Sequence, residues 1–308
     1  MYEFYGRIHC LMHYYNELSG KIYDNRYEAI VDKYQKNQSV LLYYRDEEYD
    51  KINWKIEPTE SLSEIYRDRA QKIRDTYDYV VVCYSGGIDS TNVLETFYYN
   101  NIKIDEIVSV GAFSQDENKD IDLNHNKDIY ENVSSTLNEF SLPNTKKTFI
   151  DYTDYFSNLN NFSLYQQYNA EYYKYIGVYP SVTYLFWYDL PRFLNLKQNS
   201  VIIYGIEKPY LQIENGRFYI QFTDNSIQSY SDYNSGVKRT NFYSDPESEK
   251  ILRKQLHKIK NYYFEKVIIE KSIDDFFEKE KYHKIIHDLV YDIKNPLKYI
   301  SKKNQNVF

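Results

Sequence analysis

Tyr79-Val80-Val81-Val82-Cys83-Tyr84 runs straight into Ser85-Gly86-Gly87-Ile88-Asp89-Ser90. The first six residues are apolar, β-rich and do not alternate, as expected of a strand covered on both faces at the centre of a parallel sheet. Of nine glycines, only Gly86 and Gly87 are adjacent, and they stand where that strand ends. In an open parallel sheet, ligands bind beyond the carboxyl ends of the strands, and a helix starting there offers free backbone N–H groups to an anion. Without Cβ atoms, Gly86 and Gly87 let the main chain curl around phosphate oxygens, while Ser85 and Ser90 offer hydroxyl donors. Asp89 would repel a phosphate, so it suits a group that orients Mg²⁺ or braces the loop. The plainer alternative is a glycine turn in which Asp89 or Ser90 merely caps the helix.

Upstream, Ser61 and Glu64 have capping-box spacing, and Leu62, Ile65, Tyr66, Ala70 and Ile73 recur at helical intervals, predicting a helix over about 61–76. Downstream, Val93, Leu94 and Phe97 mark the packed face of a second helix. Strands follow at Ile107–Val110, Thr148–Ile150 and Val201–Tyr204, with helical stretches near 125–140 and between about 162 and 195. Repeated strand–helix–strand units with right-handed crossovers predict a doubly wound, parallel α/β sheet. Beyond it, Leu211–Ile213 and Phe218–Phe222 flank Asn215-Gly216, a strong hairpin signal because both turn positions accept positive φ. Asp245-Pro246 opens a basic helix to about 262, and the last forty residues read as helical, with Ser272 a candidate cap. Residues 1–60, which include a strand-like run at Ser39–Tyr44, form an accessory segment. Residues 61–210 form the ligand-binding domain, and 211–308 a hairpin and helical C-terminal region.

The chain has 308 residues, enough for a sizeable core, and a formal charge of −7, which argues against bulk electrostatic coating of nucleic acid. Its 38 Tyr and 16 Phe carry much of the apolar load, so an amphipathic core is expected. Cys10 and Cys83 are the only cysteines, too few for a disulfide framework, a four-cysteine zinc site or a cysteine-ligated cluster. His9 and His13 have i, i+4 spacing but no evident third ligand. No segment has the length and apolarity of a membrane span or a secretory leader, and a cytoplasmic protein is expected.

Ser85-Gly86-Gly87-Ile88-Asp89-Ser90 resembles the Ser-Gly-Gly-x-Asp-Ser signature of the PP-loop ATP pyrophosphatases, which include asparagine synthetase, GMP and NAD synthetases, 7-cyano-7-deazaguanine synthase and tRNA-thiolating enzymes. The likeness extends over about residues 76–210 in motif and element order. It implies an adenine nucleotide alpha hydrolase fold, ATP and Mg²⁺ as cofactors, cleavage of ATP to AMP and pyrophosphate, and a substrate activated as its adenylate. The resemblance also implies that Gly205 and Glu207 belong to a second active-site segment, Gly205-Ile206-Glu207-Lys208-Pro209, where Lys208 would neutralise charge on leaving pyrophosphate. A surface turn stiffened by Pro209 is the competing interpretation. Similarly, Gly111 and Phe113 lie where family members enclose adenosine, though a lone Phe packs a core equally well. Asp116, Glu117, Asp120 and Asp122 read as a solvated acidic loop rather than a metal site.

The nucleophile that attacks the adenylate separates the members of this group. Glutamine-dependent synthetases place a cysteine after the initiator Met, whereas Tyr2 stands here, so ammonia is expected from solution or from a donor protein. With two cysteines, neither the zinc cluster of 7-cyano-7-deazaguanine synthases nor catalytic thiolation chemistry is supplied by this chain, and Cys83 reads as a core residue. An amide-forming ligase acting on a small-molecule substrate, a carboxylate or carbonyl compound, is therefore preferred. One alternative is a nucleobase- or tRNA-modifying enzyme drawing sulfur or ammonia from a donor protein, with Lys238, Arg239, Lys250, Arg253, Lys254, His257, Lys258 and Lys260 as a docking face for the nucleic acid, although a charge run of this kind is more often a solvated helix face. A noncatalytic nucleotide-binding module is the other.

Overall fold

The computed structural model describes residues 4–8, 13–16, 22–23, 40–43, 49–111, 133–151, 190–191, 193–206, 210–214, 217–222, 237–269, 285–286 and 288–291. Their elements in chain order are β1 (Phe4–Ile8), β2 (His13–Asn16), β3 (Ile22–Tyr23), β4 (Val40–Tyr43), α1 (Leu62–Thr76), β5 (Tyr79–Cys83), α2 (Ile88–Tyr99), β6 (Glu106–Gly111), β7 (Lys146–Asp151), β8 (Ser200–Tyr204), β9 (Tyr210–Glu214), β10 (Arg217–Phe222), β11 (Lys238–Asn241) and α3 (Glu249–Ile269).

Five strands form an all-parallel sheet in the order β11-β8-β5-β6-β7, which makes this an α/β protein with β5 in the middle. The unbroken apolar run of β5 is explained by cover on both faces. Val80, Val82 and Tyr84 pack with Ile107, Val201, Ile203, Val93, Phe97, Phe242 and Ile251 on one side. Val81 and Cys83 pack with Val108, Ile202, Tyr204, Leu190 and Leu194 on the other.

The capping box at Ser61 forms as expected: the Ser61 hydroxyl accepts from the Glu64 amide at 3.2 Å, and the Glu64 carboxylate accepts from the Ser61 amide at 2.8 Å. At the far end of α2, Asn101 takes φ 56°, the Asn101 amide bonds Tyr98 O and the Ile102 amide bonds Phe97 O, which closes a Schellman motif. The hairpin signal is met as well, since β9 and β10 pair antiparallel with Glu214 opposite Arg217 across Asn215-Gly216. β10 also pairs in parallel with β1, while β2 pairs antiparallel with β3 and with β4, the strand expected near Ser39–Tyr44.

Lys238-Arg239 does not simply precede the basic helix: Lys238–Asn241 is β11, the edge strand beside β8, and Arg239, only 3% exposed, is not available to a docking face. Thr240 on this strand accepts from the guanidinium of Arg69 at 2.9 Å and donates to Asp245 at 2.7 Å, joining α1, β11 and the turn before α3. Part of the basic face of α3 is also engaged within the chain. Lys250 pairs with Glu60 at 2.6 Å, Lys254 with Glu57 at 2.8 Å, and the buried His257 ring meets Trp54 O at 3.0 Å. These contacts dock residues 54–60 along the helix, and the main core runs from Tyr49 through α1 and β5 to Val290 and Tyr291, across the boundaries expected at 60 and 210.

Candidate functional site

The Ser85–Ser90 loop leaves the carboxyl end of the central strand and closes on itself through side chains. The Ser85 amide donates to Ser90 Oγ at 3.2 Å, and Ser90 Oγ donates to Gly87 O at 3.0 Å. Ser90 is 3% exposed, so its hydroxyl braces the loop from inside, while Ser85 is exposed and Gly86 through Asp89 are half-buried. The Thr91 amide makes the bond to Gly87 O that starts α2, with Thr91 Oγ1 doubling it at 2.9 Å. Helix geometry leaves the first-turn amides ahead of that bond without intrahelical acceptors, and the N-cap is Gly87, which makes no side-chain cap bond.

Three features set the path of the loop. Gly86 has φ +75°, a conformation that L side chains rarely adopt, and a Cβ there would lie 2.9 Å from Val133 Cγ2. Gly87 has φ −77° and ψ 162°, and among the described atoms only Ser85 Oγ, at 3.4 Å, would be met by an added Cβ. From the neighbouring strand, Gly205 presses against the same turn: its Cβ would be 2.8 Å from Ser90 Cα and 2.9 Å from Asp89 O. β8 therefore brings Gly205 to the loop, at the edge of the sheet where sequence reasoning expected it.

Asp89 sits in the first turn of α2, where a carboxylate is favoured by the helix dipole. Its Oδ1 accepts from the Tyr291 hydroxyl at 2.5 Å and its backbone carbonyl accepts from the Tyr243 hydroxyl at 2.8 Å. Asn92 Nδ2 in turn donates to the Tyr243 oxygen at 2.9 Å. Burial, with the Asp89 charge contributing, raises the phenol pKa of both tyrosines well above the usual value. Neither tyrosine was legible as a site residue, because nothing local distinguishes it among 38 tyrosines.

Gly111 ends β6 opposite Asp151 of β7. Phe113, Glu207, Lys208, the acidic stretch from Asp116 to Asp122, Cys10 and His9 lie outside the described residues. Cys83 lies in the core on the second face of the sheet, and burial, opposed by Arg239, pushes its thiol up to about 12. Among the described residues no group of three His, Cys, Asp or Glu side chains stands close enough to hold a metal ion, and no helix is long and apolar enough to cross a membrane. For Mg²⁺ the loop offers the Asp89 carboxylate, which suits an ion commonly held by one or two carboxylates together with substrate phosphates and water. Compared with known families and curated proteins, the sequence matches no family model and no curated protein.

Proposed function

We propose that the chain is a PP-loop ATP pyrophosphatase, an adenylate-forming ligase whose Ser85–Ser90 loop wraps the phosphates of ATP. One observation carries the proposal: a glycine pair at the mouth of the middle parallel strand opens a helix whose N-cap has no side chain. The strand order supports it. After β7 the chain returns to the opposite side of β5 to form β8, as in a doubly wound adenine nucleotide alpha hydrolase fold, and the turning point lies between β5 and β8. Gly205, against the loop, belongs to that crevice. The β9–β10 hairpin is then an insertion between β8 and β11.

In this mechanism a carboxylate oxygen of the substrate attacks the α-phosphorus of ATP, forming a P–O bond while the bond to the bridging oxygen breaks and pyrophosphate leaves with its electron pair. A nitrogen nucleophile then attacks the activated carbonyl and AMP departs. The loop amides and the Ser85 hydroxyl donate to the phosphate oxygens, and Ser90 holds the turn in shape. Asp89 would hold Mg²⁺, which offsets phosphate charge when bound. Because Lys250, Lys254 and His257 are engaged with residues 54–60, the RNA-docking alternative loses part of its basic face.

The test is incubation of the full chain with labelled ATP, Mg²⁺ and a panel of carboxylates, amines and RNA, scoring AMP and pyrophosphate. Asp89→Ala is expected to abolish that turnover and keep the fold. Release of ADP and phosphate instead, or full activity in Asp89→Ala, refutes the assignment. Tight ATP binding with no cleavage under any condition supports a noncatalytic module.

A further inference from the structure

We propose that Tyr291 is a positioning residue for Asp89, through which the C-terminal segment sets the geometry of the loop. Its functional consequence rests on the phosphate-loop assignment above, but the contact itself does not.

Tyr291 lies 202 residues beyond Asp89 and donates to its carboxylate at 2.5 Å, while Tyr243 holds the carbonyl of the same residue at 2.8 Å. The two rings lie 5.5 Å apart at an interplanar angle of 51°, so they support each other as well as the loop. Behind them, the Tyr66 hydroxyl of α1 donates to the carbonyl of Val290, and Gln255 of α3 donates to the Tyr66 oxygen at 3.0 Å. Val290 and Tyr291 are 0% and 8% exposed within the main core. A half-buried carboxylate at the mouth of a loop would otherwise sample several rotamers. Here a hydrogen bond to a charged group, worth about tenfold or more in an equilibrium, holds one of them. Local release of residues 288–291 would therefore free both the carboxylate and the first turn of α2.

Hydrogen–deuterium exchange on the full-length protein, read at Thr91–Val93 and at β5, tests this together with a titration of magnesium-ATP binding. Tyr291→Phe keeps the ring and removes the donor. We expect Thr91–Val93 to exchange about tenfold faster with β5 unchanged, and magnesium-ATP affinity to fall about tenfold. Asp89→Ala removes the acceptor and should speed the same amides, and the double variant should be no faster than Asp89→Ala alone, because the Tyr291 hydroxyl then has no carboxylate to hold. Additive effects, equal acceleration of β5, or exchange identical to wild type would overturn the proposal. If wild type binds ATP and Tyr291→Phe binds it equally well, the positioning role falls. If wild type binds no ATP, the phosphate-loop assignment falls, while the exchange rates still decide whether the tyrosine holds the loop.

Discussion

Gly205→Ala is the most direct probe of how β8 and α2 meet. The added methyl carbon would stand 2.8 Å from Ser90 Cα, 2.9 Å from Asp89 O and 3.0 Å from Val93 Cγ2, and the first two contacts are backbone atoms that cannot rotate away. Ordinary contact begins near 3.4 Å, so strand and helix must separate by about 0.6 Å. Both are anchored: β8 pairs with β5 along five residues, and α2 is buried from Ser90 to Phe97. Overpacking of this kind costs about 1–3 kcal/mol. Because the displaced atoms belong to Asp89 and Ser90, the loop shifts with the helix, and displacements of this order lower turnover by roughly ten- to a hundredfold in a positioned site. Equilibrium urea unfolding measures the first effect and pyrophosphate release the second. A Gly205→Ala protein as stable as wild type, within about 0.5 kcal/mol, would mean that the strand and helix do not approach this closely.

Gly87→Ala should behave in the opposite way. Its φ of −77° suits alanine and the only described contact is 3.4 Å away, so stability should change by no more than about 1 kcal/mol while the methyl group weakens ATP binding in a direct titration. Unchanged affinity would move the phosphates away from this residue. Asp105 gives a pH signature. Burial alone would raise its pKa, but Lys103 at 2.6 Å, the Val80 amide at 2.9 Å and Arg74 together lower it below the ordinary 3.8. Its contribution is thus complete above pH 3.8 and is lost as pH falls through the folded-state pKa, so Asp105→Asn should destabilise at neutral pH by an amount that shrinks in acid, measured by urea unfolding across that range. Cys83, with its thiol pushed up to about 12 by burial, should resist iodoacetamide in the native protein and react in urea, as read by peptide mapping. Native labelling would reopen thiol chemistry at this position.

Short-range signals were the legible ones. The capping box at Ser61 and the apolar run of β5 each encode their geometry within a few residues and form as expected, and the strands flanking Asn215-Gly216 pair antiparallel. β11 was not legible, because Lys238-Arg239-Thr240-Asn241 contains no apolar residue. It is a strand because the open edge of β8 pairs with it and because Thr240 accepts from Arg69, 171 residues earlier, and donates to Asp245. The basic run on α3 meets a related limit: a charge pattern does not disclose whether its partners are external or, like Glu57 and Glu60, a segment some 190 residues earlier.

The same distinction explains what holds Asp89. For the proposed anion the helix-start amides of the loop have to stay free, so they cannot also fix its shape. The Ser85 and Ser90 hydroxyls brace the loop from inside, and further support arrives from three directions: Val133 against Gly86, Gly205 against the Asp89–Ser90 turn, and the paired hydroxyls of Tyr243 and Tyr291 on Asp89. All three are long-range, so local sequence reports the donors but not their supports. Tyrosine suits the last position because its ring packs in the core while its hydroxyl reaches the rim, a task that Phe or Leu cannot perform. Preorganised donors are worth most when no reorganisation is left for the moment of binding, and a brace that arrives from the end of the chain makes that preorganisation depend on docking of the C-terminal segment.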